Sequence, residues 1–593
     1  MIKNIAYLAL ATSLVSCSNS TSNKSTNTKN NSENNVAFDA FKNRFVNALW
    51  KANPQWATGQ GFHDYDSVLI IPNEASRAAD VAFSTAYLDS LKQFNVTSLD
   101  QNNATDYALI QNQLKQTVWS ITHYKAHEWN PSNYNLGGAI AEILNNKNAP
   151  LTTKIMNVNG LLRNSKAYYD AAKQNITTPT LEHLDLAVQQ LQGTVNYFET
   201  SVNDSIIATK GSATTLKNTL EYTNNFIDYL QGMKMDMQKN KKPFKDCRIG
   251  KELFAQKFEY EIQAQASAEE IYQRALKRKQ ELQTEMEIIA QRWWKNDAMN
   301  TDKTYKIPTN KKELVQRTIA RISLTHVARQ NFQTEIGREI PILTAFVKQK
   351  NLLYMDPAKP LVVRKEPEWM AGVAGASISA PGPYDKNGNT YYNVGSLAAY
   401  SADEAESYLR EYNKYTLQIL NIHEAIPGHY AQLIYANQSP SIIKSILGNG
   451  AMIEGWAVYT ERMMMEEGWA KNTEINGTVQ EDEMWLMYYK WHLRVVCNTI
   501  LDYNIHVNNW TKDQAINLLM NEAYQEKSEA EGKYRRATLT QVQLCSYFTG
   551  YSEIYDLRQK LKQNKAFNLK SFHEKLLSFG SAPIKFIAPL MLK

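Results

Sequence analysis

Cysteine is scarce in this sequence and forms no recognisable metal or redox motif. The 593 residues include only four cysteines, and no two of them have the Cys-x-x-Cys spacing that is typical of zinc and thiol-disulfide sites. Without Cys17, which belongs to the leader described below, three remain, an odd number that cannot pair completely within one chain. Cys497 and Cys545 lie in apolar contexts, which favour burial as small hydrophobic side chains. The cysteines therefore do not provide a metal site.

The sequence also lacks a strong excess of charge of one sign. Its 65 basic and 59 acidic residues leave a net charge of +6, and no long basic block is interleaved with aromatic residues. The nearest approach to a basic run, residues 239–245, contains Pro243 and is typical of a solvated loop. There is no glycine-rich phosphate loop and no internal repeat. We therefore expect no nucleic-acid partner.

The apolar run at the amino terminus is too short to span a bilayer as a permanent helix. It follows Lys3, covers residues 5–15 and ends at Leu14-Val15-Ser16-Cys17. A basic start, a short apolar run and a small-residue end are typical of a secretory signal, and the last four residues resemble a bacterial lipobox. We predict a signal peptide over residues 1–17 and an exported lipoprotein. A lipid on Cys17 is its only predicted membrane contact, and we expect the outer membrane, facing the periplasm or the cell surface.

Residues 18–36 are mostly Ser, Asn, Thr and Lys. Such a segment cannot bury enough apolar surface to offset its ordering entropy, so we predict a flexible tether. From Ala37 onward, apolar residues recur at helical steps, and residues 181–230 and 252–294 have the same texture. The first of these steps are Phe38, Phe41, Phe45 and Leu49. The pattern predicts a mainly α-helical protein.

One glycine- and proline-rich region, Ala371–Leu397, interrupts the helical pattern. Around a turn at residues 385–388, the segments Val373–Ser379 and Thr390–Val394 are typical of short strands. This small β-element separates a helical N-terminal part, residues 37–365, from a C-terminal part, residues 366–593, that carries the chemistry. Helical order resumes at a capping box, Ser401 with Glu404 three residues later.

The strongest motif is His-Glu-Ala-Ile-Pro-Gly-His, residues 423–429. In the zinc-peptidase motif H-E-x-x-H, two histidines four residues apart face one ion, and the glutamate polarises the metal-bound water. Here the histidines are six residues apart, a rotation of roughly 600° on a regular helix that leaves them about 120° out of line. Pro427 and Gly428 can disrupt the helix. We infer a bulge that brings His429 back beside His423, with Glu424 between them.

A second motif, Glu-Gly-Trp-Ala-Val-Tyr-Thr-Glu, begins 25 residues after the second histidine, at Glu454. Catalytic zinc sites with two histidines commonly take a glutamate as third ligand and keep one position open for water. We predict Glu454 as that ligand, with Gly455 allowing close approach and Trp456 excluding bulk water. Glu461 is the rival ligand, a partner of a ligating histidine, or a solvated acid near Arg462.

These segments resemble a bacterial family catalogued as domain of unknown function 885. The resemblance is carried by Asn413–Gln432, by residues 454–461 and by Thr538–Arg558, and it extends over most of the mature chain. The family resembles gluzincin metallopeptidases. The resemblance implies a mainly helical fold around a deep cleft, zinc (Zn²⁺) bound by two histidines and one glutamate, and a glutamate base. By motif, the ligands are His423, His429 and Glu454, and the base is Glu424.

In the expected mechanism, zinc lowers the pKa of a water, and Glu424 takes its proton and passes it to the leaving nitrogen. The oxyanion then needs a second electrophile, for which Tyr534 and Tyr547 are the candidates. Arg536 could bind a substrate carboxylate through two hydrogen bonds. The strand that contains Tyr392 could act as an edge that binds an extended peptide. For His492 and His506 we expect structural roles.

The expected substrate is a peptide or small protein. Two alternatives stay open from the residues. One is a zinc hydrolase of a non-peptide ester or amide, because the same water activation serves any carbonyl. The other is an inert anchored binding lipoprotein, against which Glu424 argues, because a pure binding protein has no use for a base beside His423.

Overall fold

Helices account for most of the chain, as the apolar periodicity predicted. The computed structural model describes residues 20–296, 307–356, 358–359, 361–370, 375–385 and 387–592. The predicted signal peptide and Cys17 lie outside these residues. Within them, no helix is both long and apolar enough to cross a membrane.

The helices before the β-element are α1 Ser20–Ala52, α2 Pro54–Gly59, α3 Glu74–Leu91, α4 Gln101–Trp119, α5 Ala126–Trp129, α6 Gly137–Asn145, α7 Leu151–Leu162, α8 Ser165–Asn175, α9 Leu181–Tyr197, α10 Asn203–Ala208, α11 Thr214–Lys239, α12 Gly250–Glu261, α13 Ala268–Asn296, α14 Lys311–Ile322 and α15 Phe332–Gln349. Those after it are α16 Ala402–Glu411, α17 Lys414–Glu424, α18 His429–Asn437, α19 Ile442–Ile446, α20 Gly450–Glu466, α21 Trp469–Asn472, α22 Glu481–His506, α23 Lys512–Asn517, α24 Lys527–Thr540, α25 Cys545–Lys562, α26 Leu569–Ser578 and α27 Ile584–Met591. The strands are β1 Leu361–Lys365, β2 Ala376–Ser379, β3 Thr390–Val394, β4 Glu474–Ile475 and β5 Thr478–Val479.

Helix α1 buries the predicted apolar face, Phe38, Phe41, Phe45 and Leu49. The helix also extends back to Ser20, through the segment for which we predicted a tether. The end of that segment is attached by polar contacts. The side chain of Asn34 donates to Ser98 Oγ (2.7 Å), and that of Asn35 accepts from the backbone of Asp100 (2.9 Å). Attachment to the fold thus begins before Ala37, through hydrogen bonds that apolar periodicity does not reveal.

The β-element is a three-stranded sheet of order β1-β3-β2, with β1 parallel and β2 antiparallel to β3. The predicted strand Thr390–Val394 is confirmed, and the described part of the other is Ala376–Ser379. We did not predict β1. Because β1 and β2 flank β3 on both sides, β3 is not the edge strand that we expected. The edge nearest the motif helices is β2.

Two hydrophobic clusters form the core. The smaller one lies within residues 69–230, and the larger one combines α1, α4 and α12–α15 with most of the C-terminal helices. Buried Asp106 of α4 also joins early and late helices, since it accepts hydrogen bonds from Lys42, Ser441 and Lys444. The larger core therefore extends across the division at residues 365 and 366 that the sequence suggested.

Helices α20 and α25 cross with their backbones in direct contact. A Cβ atom on Gly550 would lie 1.7 Å from the carbonyl oxygen of Ala451, and one on Gly455 would lie 2.3 Å from the carbonyl carbon of Gly550. A side chain at either glycine would therefore push the two helices apart. The space that Gly455 provides is thus filled by α25, and this contact sets the position of Glu454 on α20.

Substituting Gly550→Ala should therefore destabilise the protein by about 3 kcal/mol, because the added methyl group must separate two packed helices. Gly232→Ala in α11 is the matched control, since a Cβ there meets no atom within 4 Å; removing a helical glycine should stabilise the fold by at most about 1 kcal/mol. Urea unfolding of a soluble form that begins at Ser20 measures both. Equal midpoints for the two variants would contradict the close crossing.

Candidate metal centre

Helix α17 carries His423 and Glu424 in its last turn. The helix begins at Asn413, whose side chain accepts hydrogen bonds from the backbone N–H groups of Tyr415 and Thr416. Every residue from Tyr415 to Glu424 is buried, so the helix passes through the core. Its end is therefore held firmly on all sides, and the two polar side chains are positioned by packing.

The chain leaves α17 at Ala425 (φ −112°, ψ −84°), and α18 begins at His429. A Cβ on Gly428 would lie 1.8 Å from the carbonyl oxygen of His423, so only glycine fits this reversal. The indole N–H of Trp456 donates to the carbonyl of Pro427 (2.9 Å) and holds the connection. The inferred bulge is thus wrong in form, because one helix ends and another begins.

The break brings the two histidines together, as the motif predicted. The ring centroids of His423 and His429 are 4.8 Å apart, and the rings are nearly perpendicular (87°). Glu454 of α20 faces both, with its Oε2 at 3.3 Å from His429 Nε2 and 3.7 Å from His423 Nε2. Among the described residues, this is the one group of three such side chains whose donor atoms converge, all within 4.8 Å of one another.

Glu461 contacts the opposite nitrogen of the first histidine. Its Oε1 lies 2.6 Å from His423 Nδ1, and the residue is completely buried. Glu461 is thus not a solvated acid beside Arg462, which pairs with Glu466 instead. The geometry gives the two glutamates different places, since Glu454 faces the converging atoms and Glu461 orients the imidazole from behind.

The two carboxylates determine the protonation of His423. Burial by itself lowers the pKa of this imidazole, but the neighbouring carboxyl groups of Glu454 and Glu461 raise it to about 10. Burial raises the pKa of Glu454, and the proximity of His423 and His429 outweighs that effect and holds the pKa well below its usual range. For Glu461 burial prevails, and its pKa is raised. These shifts favour a positive charge on His423 beside a negative charge on Glu454.

The residues fit a zinc ion. Two imidazoles and one carboxylate are the donor set of catalytic zinc sites, which keep a fourth position for water or substrate. Glu454 Oε2 and His429 Nδ1 are buried and lack a hydrogen-bond partner, which is costly for polar atoms. A cation bound between the three side chains would satisfy Glu454 Oε2. Binding by these residues stays a prediction.

Glu424 lies on the wall of a cavity of about 60 Å³ beside His423. Its side chain is buried, and its Oε2 has no hydrogen-bond partner. The same cavity is lined by Ala376 of edge strand β2 and by Tyr547 and Arg536. Glu424 therefore borders the space in which a small substrate group would lie, and one of its carboxylate oxygens has no partner.

Two of the four other predicted site residues line this cavity. The ring of Tyr547 lies nearly parallel to that of His423, with centroids 6.3 Å apart, and its hydroxyl accepts a hydrogen bond from Arg536 (2.7 Å). Tyr534 is two residues from Arg536 on α24, a rotation of about 200°, and its ring lies near Lys512 instead. Tyr392 is fully buried and donates to Asn421 (3.0 Å). Tyr534 and Tyr392 thus do not contact the cavity.

The sequence reasoning gave no site role to several cavity residues, namely Tyr412, Trp491, Arg494 and Lys533. Arg494 had a usable signal, because an arginine within the apolar run of α22 must find a buried partner or a cavity. The two histidines of α22 have the expected structural roles. His506 bonds the backbone oxygen of Ala537 (2.8 Å), and His492 is fully buried among tyrosines.

A family model described as "Bacterial protein of unknown function (DUF885)" matches residues 54–591. A solved structure of a candidate lipoprotein of unknown function from Shewanella oneidensis is 48% identical, with a TM-score of 0.80 over 94% of this chain and 100% of that one. A candidate lipoprotein from Colwellia psychrerythraea is 15% identical, with a TM-score of 0.72 over 94% and 98%, and shares the fold. No curated protein matches the chain.

Glu461→Gln should weaken zinc binding about 10- to 100-fold, because the carboxylate that orients His423 is lost while the three donor side chains stay. Glu531→Gln, on the exposed surface of α24, is the matched control and should bind zinc like the wild type. Competition with a chromophoric chelator measures both affinities. Equal affinities would remove Glu461 from the site.

Proposed function

We propose that this chain, which belongs to the DUF885 family, is a zinc-dependent hydrolase that cleaves peptide bonds. The observation that carries the proposal is the position of Glu424. Glu424 lines the cavity beside His423, and one of its carboxylate oxygens is buried without a partner. The donor atoms of His423 converge there with those of His429 and Glu454. A site that only bound a metal would need the three converging side chains and not the fourth.

Zinc, when bound by His423, His429 and Glu454, supplies a Lewis acid that lowers the pKa of water and polarises a carbonyl. Glu424 takes one proton from the attacking water as the water oxygen forms a bond to the carbonyl carbon. The amide C–N bond then breaks, and Glu424 passes the proton to the leaving nitrogen. The products are a carboxylic acid and an amine, and Glu424 returns to its ionised state.

Tyr547 is the candidate that stabilises the oxyanion. Burial raises the pKa of its hydroxyl to about 12, so at neutral pH the group keeps its hydrogen and can donate it. Arg536 donates to the hydroxyl oxygen, which strengthens the hydroxyl as a donor in turn. Tyr534 had been the other candidate, and its distance from the cavity leaves this role to Tyr547.

A peptide substrate is favoured by the edge strand beside the cavity. Among the strands that the structure describes, β2 pairs with β3 alone, and Ala376 at its start lines the cavity. The unpaired backbone groups of an edge strand can bind an extended peptide by adding a strand. The role that we first gave to the strand of Tyr392 therefore passes to β2.

The proposed enzyme is an exported lipoprotein. The lipobox-like residues 14–17 support this assignment, as does the 48% identity with a candidate lipoprotein. Its substrates would then be peptides or small proteins at the bacterial envelope, reached while Cys17 anchors the chain at the outer membrane.

Glu424→Gln should keep stoichiometric zinc and lower peptide turnover about 100- to 10,000-fold, because the base is lost while the three ligands remain. His423→Ala, His429→Ala and Glu454→Ala should lose the zinc as well. Elemental analysis measures zinc in the purified proteins, and a peptide library measures turnover. A wild type without zinc, or a fully active Glu424→Gln protein, would refute the proposal. Cleavage of esters but of no peptide would identify a non-peptide hydrolase.

Tyr547→Phe should lower kcat about 100-fold with zinc retained, because one donor to the oxyanion is removed. Tyr534→Phe removes the same hydroxyl from the same part of the chain, but outside the cavity, and should leave kcat unchanged. Steady-state kinetics on one cleaved peptide compares the two. Equal effects would exclude Tyr547 as the oxyanion donor.

A further inference from the structure

Three basic side chains form one side of the cavity. Arg494 comes from α22, and Lys533 and Arg536 come from α24. All three also line a broad cleft of about 630 Å³ that adjoins the cavity. They therefore lie where the cleft meets the candidate metal centre, on the route that a substrate would take.

A single acid accompanies these three bases. Arg494 Nη2 lies 2.6 Å from Glu529 Oε1, and Lys533 Nζ lies 3.7 Å from the same oxygen. No other carboxylate in the described part of the chain comes within 4 Å of any of the three bases. The second oxygen of Glu529 accepts from the hydroxyl of Tyr412 (3.2 Å). The cluster thus contains more positive than negative charge.

Arg536 has no carboxylate within 4 Å among the described residues, although the charge of Glu454 acts on it from farther away. Its Nη2 donates only to neutral groups, Gln543 Oε1 (3.0 Å) and the hydroxyl of Tyr547 (2.7 Å). Its Nε and the Nη1 of Arg494 are buried without a hydrogen-bond partner. Buried charged donors are seldom left unpaired, because the loss of hydration is costly. An anionic group of a ligand would supply the missing acceptors.

Lys533 is 5% exposed. Its ammonium group lies 3.7 Å from Glu529, which is an ion-pair contact and too long for a hydrogen bond. Burial, and next the charge of Arg494, hold the pKa of Lys533 well below its usual range. An anion bound beside it would favour its protonated form. One negative group could thus accept hydrogen bonds from both arginines and favour the protonated form of Lys533.

The distance to the candidate metal centre limits what that anion can be. Gln543 connects the two, because its Oε1 accepts from Arg536 (3.0 Å) and its Nε2 donates to Glu454 (3.4 Å). One side chain therefore separates Arg536 from the converging donor atoms. An extended peptide advances about 3.3–3.6 Å per residue, so the anion belongs to a group one or two residues from the reacting carbonyl.

We propose that Arg494, Lys533 and Arg536 form a subsite for a substrate carboxylate, which makes this protein an exopeptidase that cleaves close to a free carboxyl terminus. Arginine is suited to this role because its planar guanidinium can give a carboxylate two parallel hydrogen bonds. The proposal rests on the proposed peptidase function and adds its substrate class. An Asp or Glu side chain next to the cleaved bond carries the same group, and the experiment separates these two sources.

Arg536→Gln and Lys533→Met test the subsite with little risk to folding. In both variants the buried carboxylate of Glu529 keeps its close contact with Arg494 (2.6 Å). Arg535→Gln is the matched control. Arg535 is adjacent on α24 and lines the broad cleft, but its side chain donates to Gln189 (2.8 Å) and does not line the cavity.

The zinc-loaded proteins are given one peptide in three forms: a free terminal carboxylate, a terminal amide, and a terminal amide with a glutamate as last residue. For the wild type we expect kcat/KM for the free acid to exceed that for the plain amide about 100-fold. The ratio should fall below about tenfold in Arg536→Gln and in Lys533→Met, and it should be unchanged in Arg535→Gln. Preference for the glutamate amide over the free acid would assign the subsite to an acidic side chain and overturn the exopeptidase.

Binding of the same peptides to the Glu424→Gln protein, measured by calorimetry, decides the subsite without turnover. Tighter binding of the free acid than of the amide, lost on combining Arg536→Gln with Glu424→Gln, supports the subsite. Equal binding of the two forms overturns it. If the wild type cleaves none of the peptides while this preference is present, the proposed function fails and the carboxylate site stands.

Discussion

The candidate metal centre depends on the break in the chain between α17 and α18. Two histidines six residues apart cannot face one point from a regular helix, because they differ by about 120° in direction. The break removes this conflict by ending the first helix at Glu424 and starting the second at His429. Gly428 makes the reversal possible, because its Cα lies against the backbone oxygen of His423 where no Cβ fits. Trp456 then fixes the connection from α20.

Helix α20 is the second support of the site, and α25 holds it in place. Glu454 and Glu461 are seven residues apart, two turns along one face, so both reach the same imidazole from different sides. The backbone contact at Gly455 and Gly550 leaves no room for α20 to move. Because α25 also carries Tyr547, one helix crossing positions the third donor side chain and a wall of the cavity together.

The cavity has acidic side chains on one side and mainly basic side chains on the other. On one side, the carboxyl groups of Glu454 and Glu461 both lie against His423. On the other side, the three bases have only Glu529 between them. A substrate with a carboxylate would complete the second side while its carbonyl reaches the first. The two halves of the cavity thus suit the two ends of a single short peptide segment.

The sequence by itself determined the helical class, the strand at Thr390–Val394 and the identity of the converging residues, because periodicity and motif spacing are local properties. The tertiary structure alone decided which glutamate faces which ring nitrogen of His423. The imidazole has two nitrogens, and only packing fixes the orientation of the ring. It also separated Tyr547 from Tyr534, because Tyr534 points away from Arg536 on α24 whereas Tyr547 of α25 lines the cavity, and it made β3 a central strand through pairing with the unpredicted β1. The bases of α22 and α24 become one surface only when these distant segments pack together, and no local pattern contains that information.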